Sequence, residues 1–462
     1  MKVFDTWQTE QQEDSAVGHK ELDQEIAHLR VLTGGSSQPV HSFHSRGTSI
    51  GRLGGDCDLA VDDGRMSRRH ARIERSAAGW QLQDLGARNR GFVDGRGYGA
   101  GARVALVDGA ILRLGDTLMV FRVSPPTNDG RVDSPVFPGV SPVAVAVRRR
   151  IAALAAGAGH VLIVGETGAG KERVAQAIGE ARAPHPFVTL NSAELSRDLA
   201  RSELFGHVRG AFTNANANKL GLVDAAGDGV LFLDEIGELS MDVQAELLRF
   251  LEDGSYRPLG ATELRHSHAR VVAATHVDLE EAVQNNKFRR DLLARLRATN
   301  TPLVLPPLRD RREDIPGWTE LFLRERERDR QPTARPWTVG ALECLLLYPW
   351  TYNLRDLRSV VGEAAEQVPV FPCGTEHLPA TLRAHRGTLR APSSMAPPEE
   401  PTPTSLAEPS QVEIEDALRA TQGNMRTAAL RLGVDRRKLY RLCDRFGISR
   451  EQYRPDTNRE DE

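Results

Sequence analysis

Residues His160 to Glu172 read HVLIVGETGAGKE, and few folds accommodate such a run. Val161 to Val164 are uniformly apolar, the pattern of a strand buried on both faces. The strand passes directly into a loop with Gly165, Gly168 and Gly170, then Lys171 and a helical pattern. Glycines let several backbone N–H groups converge on one point, a lysine adds a point charge, and a helix N-terminus adds its dipole, which together make a cradle for polyphosphate. The general pattern has Ser or Thr after the lysine; here Glu172 stands there.

A second apolar strand, Gly229 to Ile236, ends in the carboxylates Asp234 and Glu235. Neighbours in a strand point to opposite faces, so a pair at its open end can divide two tasks: Asp234 helps to hold Mg²⁺ and Glu235 polarises an attacking water. Further strands are expected at Pro186 to Leu190, Val271 to Ala274 and Pro302 to Leu305, alternating with helices, which predicts an α/β sheet of P-loop type. Asn191, Thr275 and His276 end two of these strands and should face the nucleotide, ATP. Between the strands lies ELFGHVRGAFTNA at Glu203 to Ala215, where Phe212 sits among small and polar residues without helical periodicity and reads as a contact rather than core.

The remaining chain bounds the partners. At 462 residues with formal net charge −3, 27% charged and 40% hydrophobic, it should hold two to four domains and has no global field that would mark a nucleic-acid binder. Cys57, Cys344, Cys373 and Cys443 lack metal-ligand spacing, which argues for reduced thiols, and neither His41/His44 nor His266/His268 has a partner cluster. No run is long enough to span a bilayer and the first residues are not signal-like, so a cytoplasmic protein is expected.

Residues 1–27 form a polar tail, and 28–123 show short apolar runs broken by Gly and Asp, the texture of an all-β sandwich. Gly51-Arg52, Ser67-Arg-Arg-His70 and Asp84 to Asn89 resemble the loop signatures of forkhead-associated (FHA) domains, which bind phosphothreonine peptides. Arg52 and Ser67 would converge on the phosphate, Arg68 would add a donor, Asn89 would fix the peptide backbone and His70 would prop the loop. Ala87, Arg90 and Asp94 depart from the FHA pattern. Residues 124–142, rich in Pro, Gly, Asp and Ser, predict a linker.

ELFGH, GAFT, LFLDEI, the run at Phe288 to Leu296 and PPLRDRREDIP at Pro306 to Pro316 resemble the bacterial enhancer-binding proteins, AAA+ ATPases that activate sigma-54 RNA polymerase. The resemblance implies an AAA+ α/β domain at 143–305 and a helical lid at 306–387. Its phosphate loop (Gly165, Glu166, Thr167, Gly168, Ala169, Gly170, Lys171) commonly carries Glu after the lysine, which accounts for Glu172. Asn191 would switch Glu235, Thr275 and His276 would sense nucleotide, Arg289 and Arg295 would be arginine fingers acting across a homo-oligomeric ring, and Arg355 would sense nucleotide from the lid. Gly210, Ala211, Phe212, Thr213, Asn214 and Ala215 would form the loop that contacts sigma-54. Asn214 replaces a Gly of that loop, His276 an Asn, and Thr351-Tyr352 a Pro-Gly pair.

A Pro-rich linker spans 388–410, followed at 411–450 by helical patterns with helix-turn-helix spacing and a polar tail at 451–462. Leu439, Leu442, Cys443 and Phe446 form an apolar stripe, while Arg436, Arg437, Lys438, Tyr440 and Arg441 present a basic face suited to a major groove. This resembles the Fis-type domain that ends many enhancer-binding proteins. The expected protein is a sigma-54-dependent transcription regulator that hydrolyses ATP with Mg²⁺, binds double-stranded DNA and takes its input from a threonine kinase system. The alternative is a DNA-bound phosphopeptide adaptor with a weak or silent ATPase that works without sigma-54.

Overall fold

The computed structural model describes residues 26–34, 39–124, 134–194, 197–213, 215–298, 300–326, 336–368, 372–385 and 411–421, and then 439, 442, 443, 445, 446 and 448. It divides into two compact units, residues 1–394 and 395–462. Among the described residues, the first unit opens with the strands β1 (Ala27–Val31), β2 (Val40–Phe43), β3 (Thr48–Arg52), β4 (Leu59–Val61), β5 (Ala71–Ser76), β6 (Gly79–Asp84), β7 (Phe92–Val93), β8 (Arg96–Gly97), β9 (Arg103–Ala105), β10 (Ile111–Leu114) and β11 (Thr117–Arg122). They form two sheets, β2-β1-β11-β10-β7-β8 and β4-β3-β5-β6-β9. The two-residue alternation expected of a half-buried strand is clearest in β6, where Trp80, Leu82 and Asp84 point inward. Trp80 meets Phe43 and Phe121 edge-on at 5.5 and 5.8 Å between ring centroids, the arrangement that aromatic quadrupoles favour.

Strand β11 breaks the alternation because it is covered on both sides. Met119 and Phe121 join the sandwich core, whereas Leu118 and Val120, with Ile111 of β10, join a second core that also takes in the residues beneath the phosphate loop and the C-terminal helices of this unit. The sandwich is therefore fused to the next domain through an apolar face. The expected boundaries change accordingly. Ala27, placed in the tail, is a fully buried residue of β1. Of the linker expected at 124–142, residues 134–141 are packed: Phe137 is fully buried against Trp318 at 5.5 Å, with the Arg311 guanidinium 4.4 Å from its ring centre. Composition alone did not distinguish a Pro/Gly-rich strap from a free linker.

Helix α1 (Pro142–Ala156) starts where Ser141 caps it, accepting from Ala144 N, with proline at its first turn. The elements that follow are β12 (Val161–Gly165), α2 (Lys171–Glu180), β13 (Phe187–Asn191), α3 (Arg197–Phe205), α4 (Leu222–Ala226), β14 (Val230–Asp234), α5 (Met241–Asp253), β15 (Ser255–Tyr256), β16 (Arg265–His266), β17 (Arg270–Thr275), α6 (Leu279–Gln284), α7 (Arg290–Ala298) and β18 (Leu303–Leu305). Five of these strands make a parallel sheet in the order β13-β14-β17-β12-β18. Alternate residues serve opposite faces: Val230 and Phe232 face the core shared with the sandwich, while Leu231 and Leu233 face α5 and α7. Burial on both faces is why β12, β14 and β17 read as continuous apolar runs, whereas the edge strand β13 exposes Thr189.

The lid comprises α8 (Ile315–Arg326), α9 (Val339–Leu347), α10 (Asn353–Gln367) and α11 (Ala380–His385). Every residue of α9 from Ala341 to Leu347 is buried, as befits a helix apolar all round. Its one charge, Glu343, is paired with Arg113 of β10 at 2.9 Å. In the second unit α12 (Gln411–Ala420) buries Ile414 and Leu418, and Leu439, Leu442 and Cys443 are also buried there. The basic positions Arg436, Arg437, Lys438, Tyr440 and Arg441 lie outside the described residues. Among the described residues no helix is long and apolar enough to cross a membrane.

The sandwich is locked to the domain of the parallel sheet by Arg122, which donates to both carboxylate oxygens of Glu313 at 3.0 and 2.6 Å and to the Asp310 carbonyl at 3.0 Å. Glu313 is 2% exposed, so removing its partner strands a charge. Arg122→Ala is expected to destabilise the first unit by about 3–5 kcal/mol, whereas Arg122→Met with Glu313→Leu recovers most of the loss. Urea denaturation midpoints check this, and equal losses in both variants would contradict it.

Candidate functional site

The phosphate loop leaves β12 at Gly165. Gly168 and Gly170 take φ of 76° and 106°, values that favour glycine. At Gly168 a Cβ would also collide with the Tyr352 carbonyl of the lid. Lys171, 7% exposed, directs Nζ back into the loop, donating to the Gly165 carbonyl at 3.0 Å and approaching the Glu166 carbonyl at 3.4 Å. Glu172 is exposed in the first turn of α2.

Strand order brings the other candidates to this loop. β17 lies between β12 and β14, so Thr275 and His276 emerge between Lys171 and the Asp234-Glu235 pair. Glu235 sits at φ 53°, and its Oε1 is 3.5 Å from Lys171 Nζ. Its Oε2 accepts from His276 N at 3.2 Å and from His276 Nδ1 at 2.7 Å. Burial, then the Glu235 charge, push the Asp234 carboxyl above the usual carboxylate range, with Lys171 opposing. Asn191 lies opposite Asp234 in the β13–β14 register, and its Oδ1 accepts from Ala193 N at 3.2 Å. Thr275 is fully buried, with its hydroxyl accepting from Val277 N at 3.0 Å.

Two residues that sequence reasoning missed hold the loop from below. Arg309 forms a two-pronged pair with Glu166, at 2.8 and 2.6 Å, and these bonds hold the Glu166 carboxyl below its usual range. Asn353, fully buried at φ 53°, donates to Glu166 Oε2 and to the Thr167 carbonyl, each at 3.1 Å, and accepts from Leu308 N at 2.7 Å. A buried Asn in a left-handed turn is well suited to such a three-way tie. Arg309 stands inside the quoted run Pro306 to Pro316 and Asn353 directly after the quoted Thr351-Tyr352 pair, but nothing in their spacing names a partner across the fold. Arg355 follows on α10, its Cβ beside Gly168.

The remaining candidates around the parallel sheet are spread further out. Arg289 pairs with the exposed side chain of Asp291 at 2.7 Å, and Arg295 donates to the Leu251 and Glu252 carbonyls at 2.8 and 3.2 Å, near the C-terminus of α5. The loop from Gly206 to Gly221 projects Phe212, 45% exposed, with its ring edge-on to His207 at 4.9 Å. Thr213 and Gly210 are exposed, Ala211 is half-buried, and Ala215 is buried, its N–H bonded to the Phe212 carbonyl at 2.9 Å. Asn214 lies outside the described residues. The base of the loop is braced by the unforeseen β15–β16 hairpin, through Val208 N to Leu259 O at 3.0 Å and Leu259 N to Gly206 O at 2.9 Å.

In the sandwich, Arg52 N donates to Ser67 O at 2.9 Å, and a Cβ at Gly51 would strike the Arg68 carbonyl. The three signatures therefore meet. Ser67 Oγ accepts from Arg88 N at 3.0 Å, which leaves its proton to donate elsewhere, and Asn89 Nδ2 donates to Arg65 O at 2.7 Å. Arg68 and Asn89 are exposed and Arg52 is half-buried. His70, fully buried, accepts from Ser67 N at 3.2 Å through Nδ1 and so props the loop.

Residues 138–301 match the Sigma-54 interaction domain, 48–115 the FHA domain, 309–394 the AAA+ ATPase lid domain and 405–442 the bacterial regulatory protein, Fis family. The chain is 39% identical over 310 residues to the alginate biosynthesis transcriptional regulatory protein AlgB of Pseudomonas aeruginosa, covering 67% of each. It is 37% identical over 317 residues to the DNA-binding transcriptional regulator NtrC of Rhizobium meliloti, covering 63% of this chain and 65% of NtrC. The match thus spans about two thirds of these relatives. Among solved structures it is similar to NtrX from Brucella abortus in complex with ADP, with a TM-score of 0.48 and 28% identity over 67% of this chain and 69% of that one.

Burial lowers the pKa of His70, so the unfolded chain, at about 6.5, takes up this proton before the folded one. The stability that neutral His70 contributes is complete above about pH 6.5 and is lost as the pH falls below it. His70→Asn, which keeps an acceptor for Ser67 N without titrating, is expected to show a smaller drop in thermal midpoint between pH 7 and pH 5 than the parent chain. Equal drops would exclude His70 as a source of the acid sensitivity.

Proposed function

Because the chain belongs to the family of sigma-54-dependent transcriptional activators, we propose that its AAA+ ATPase works in a homo-oligomeric ring to remodel sigma-54 RNA polymerase held at a promoter. The observation that carries this reading is the meeting of Lys171, Asp234 and Glu235 at one sheet edge, on the same domain that projects the exposed Phe212-Thr213 tip. The phosphate loop from Gly165 to Lys171 binds the ATP polyphosphate, Glu235 polarises the attacking water, and Arg289 and Arg295 act on the nucleotide of a neighbouring subunit. Thr275, His276 and Arg355 register which nucleotide is present. Asp234, a hard oxygen donor whose surroundings include the carboxylates of Glu235 and Glu172 and the ammonium of Lys171, would hold a magnesium ion together with the nucleotide, offsetting charge on the phosphates.

The input is a phosphothreonine peptide at Arg52, Ser67, Arg68 and Asn89. The sandwich reaches the ATPase through Arg122 and the segment that also carries Arg309, so a ligand on the sandwich acts on the phosphate loop along a bonded route. The Fis-type residues Arg436, Arg437, Lys438, Tyr440 and Arg441 bind double-stranded DNA, some on phosphates and some on base edges.

Lys171→Ala is expected to lower ATP turnover at least about 100-fold. Phe212→Ala and Thr213→Ala should keep turnover but lose promoter opening in a reconstituted sigma-54 transcription assay; intact opening in either variant rejects the remodelling role. Arg52→Ala should weaken binding of a phosphothreonine peptide at least about 10-fold, since one charge-assisted bond is worth about 1.5–3 kcal/mol, and unchanged affinity by calorimetry rejects the sensor.

A further inference from the structure

The resemblance gives the control of Glu235 to Asn191, but the hydrogen bonds to the Glu235 carboxylate come from the end of the other neighbouring strand, β17. His276 follows directly on β17, and it meets Glu235 Oε2 with both its backbone N, at 3.2 Å, and its ring Nδ1, at 2.7 Å. Among the described residues no other side chain hydrogen-bonds to this carboxylate. An ionised carboxylate only accepts, so the ring carries its proton on Nδ1. Glu235 has strong need of an anchor. At φ 53° it is a non-glycine residue in the left-handed region, a conformation that costs about 1 kcal/mol or more and persists only where surrounding bonds impose it.

We propose that His276 is the positioning residue for Glu235, its Nδ1–H fixing the rotamer of the water-polarising carboxylate. The inference rests on the reading of Glu235 given above. The bond holds Glu235 over the phosphate loop and does not draw it away, because the other oxygen stays 3.5 Å from Lys171 Nζ. The side chain of His276 is 45% exposed, so it is not a core residue whose loss would collapse the sheet, and its pairing with Glu235 is its main constraint. A histidine here does what an Asn amide can also do, since an Asn Nδ2–H occupies nearly the position of the imidazole Nδ1–H, whereas a Gln amide reaches one bond too far.

The test measures kcat and KM for ATP hydrolysis in the full chain carrying His276→Ala, His276→Gln, His276→Asn or Glu235→Gln, with nucleotide affinity followed by a fluorescent ATP analogue. His276→Ala and His276→Gln should lower kcat about 10- to 100-fold while KM and analogue affinity stay within about two-fold, the signature of an interaction used in the transition state. His276→Asn should restore kcat to within about five-fold of the parent. Glu235→Gln should fall further, and adding His276→Ala to it should cost no more. Parental kcat in His276→Ala with a silent Glu235→Gln overturns the positioning role alone, as does a His276→Asn as slow as His276→Ala. Parental turnover in Glu235→Gln overturns the assignment of Glu235 and the inference with it.

Discussion

Six consecutive residues, Arg309 to Asp314, tie the first unit together. Arg309 grips Glu166 in the phosphate loop. Arg311, fully buried, donates to the Ala169 carbonyl of that loop at 3.2 Å and lies over the rings of Phe137 and Trp318. Arg312 and Glu313 reach the sandwich at Asp94 and Arg122. Asp314 accepts from Val140 N, Ser141 N and Ser141 Oγ, each at 2.7 Å, and so fixes the start of α1. Buried charges of this kind are seldom worth more than the apolar packing that could replace them, but removing one partner is costly because the other is left unpaired in low dielectric. Their effect is to specify geometry: sandwich, strap, first helix and phosphate loop have one relative arrangement that pairs them all.

That arrangement explains which parts of the fold were legible in the sequence. The central strands β12, β14 and β17 were readable to within a residue or two because burial on both faces leaves no room for polar residues, and a strand end followed by glycines or carboxylates marks its own boundary. Strand β11 carried the same signal in Leu118 to Phe121, an apolar run too long for a sheet with one wet face. That run announced a second covering layer without saying what the layer was. Residues 134–141 fell inside the linker expected at 124–142 because Pro, Gly, Asp and Ser enrich that stretch, while the feature that packs them, the single Phe137, has no periodicity to betray it.

The site divides in the same way. Lys171, Asp234 and Glu235 were legible because phosphate chemistry restricts residue type and spacing together. Arg309 and Asn353 were not, since each acts through a partner more than 140 positions away in sequence, Glu166, and only the closed fold brings them together. The β15–β16 hairpin escaped for another reason: strands of two residues fall below any periodic pattern, and the turn residues Pro258 and Gly260 were the only local sign of it.

The brace on the Phe212 loop limits how motion can reach its tip. A Cβ at Gly206 would strike the Lys219 carbonyl, and one at Gly221 would strike Leu204, so the two ends of the loop pass each other at backbone contact. His207 and Lys219 pair through both backbone bonds, at 3.0 and 2.9 Å, and the hairpin clamps the same base through Leu259. Phe205, at the end of α3, stacks on Tyr256, whose hydroxyl bonds Asp224 of α4. With its base clamped on three sides the loop cannot hinge there. The base of the loop, the hairpin and, through Phe205 and Tyr256, α3 are therefore bonded as one body, and β13 with the turn at Ser192–Glu194 precedes α3 in the chain. Under the proposed function, Asn191, opposite Asp234 in the β13–β14 register, would pass strand motion to that body, while His276 steadies the carboxylate that follows Asp234.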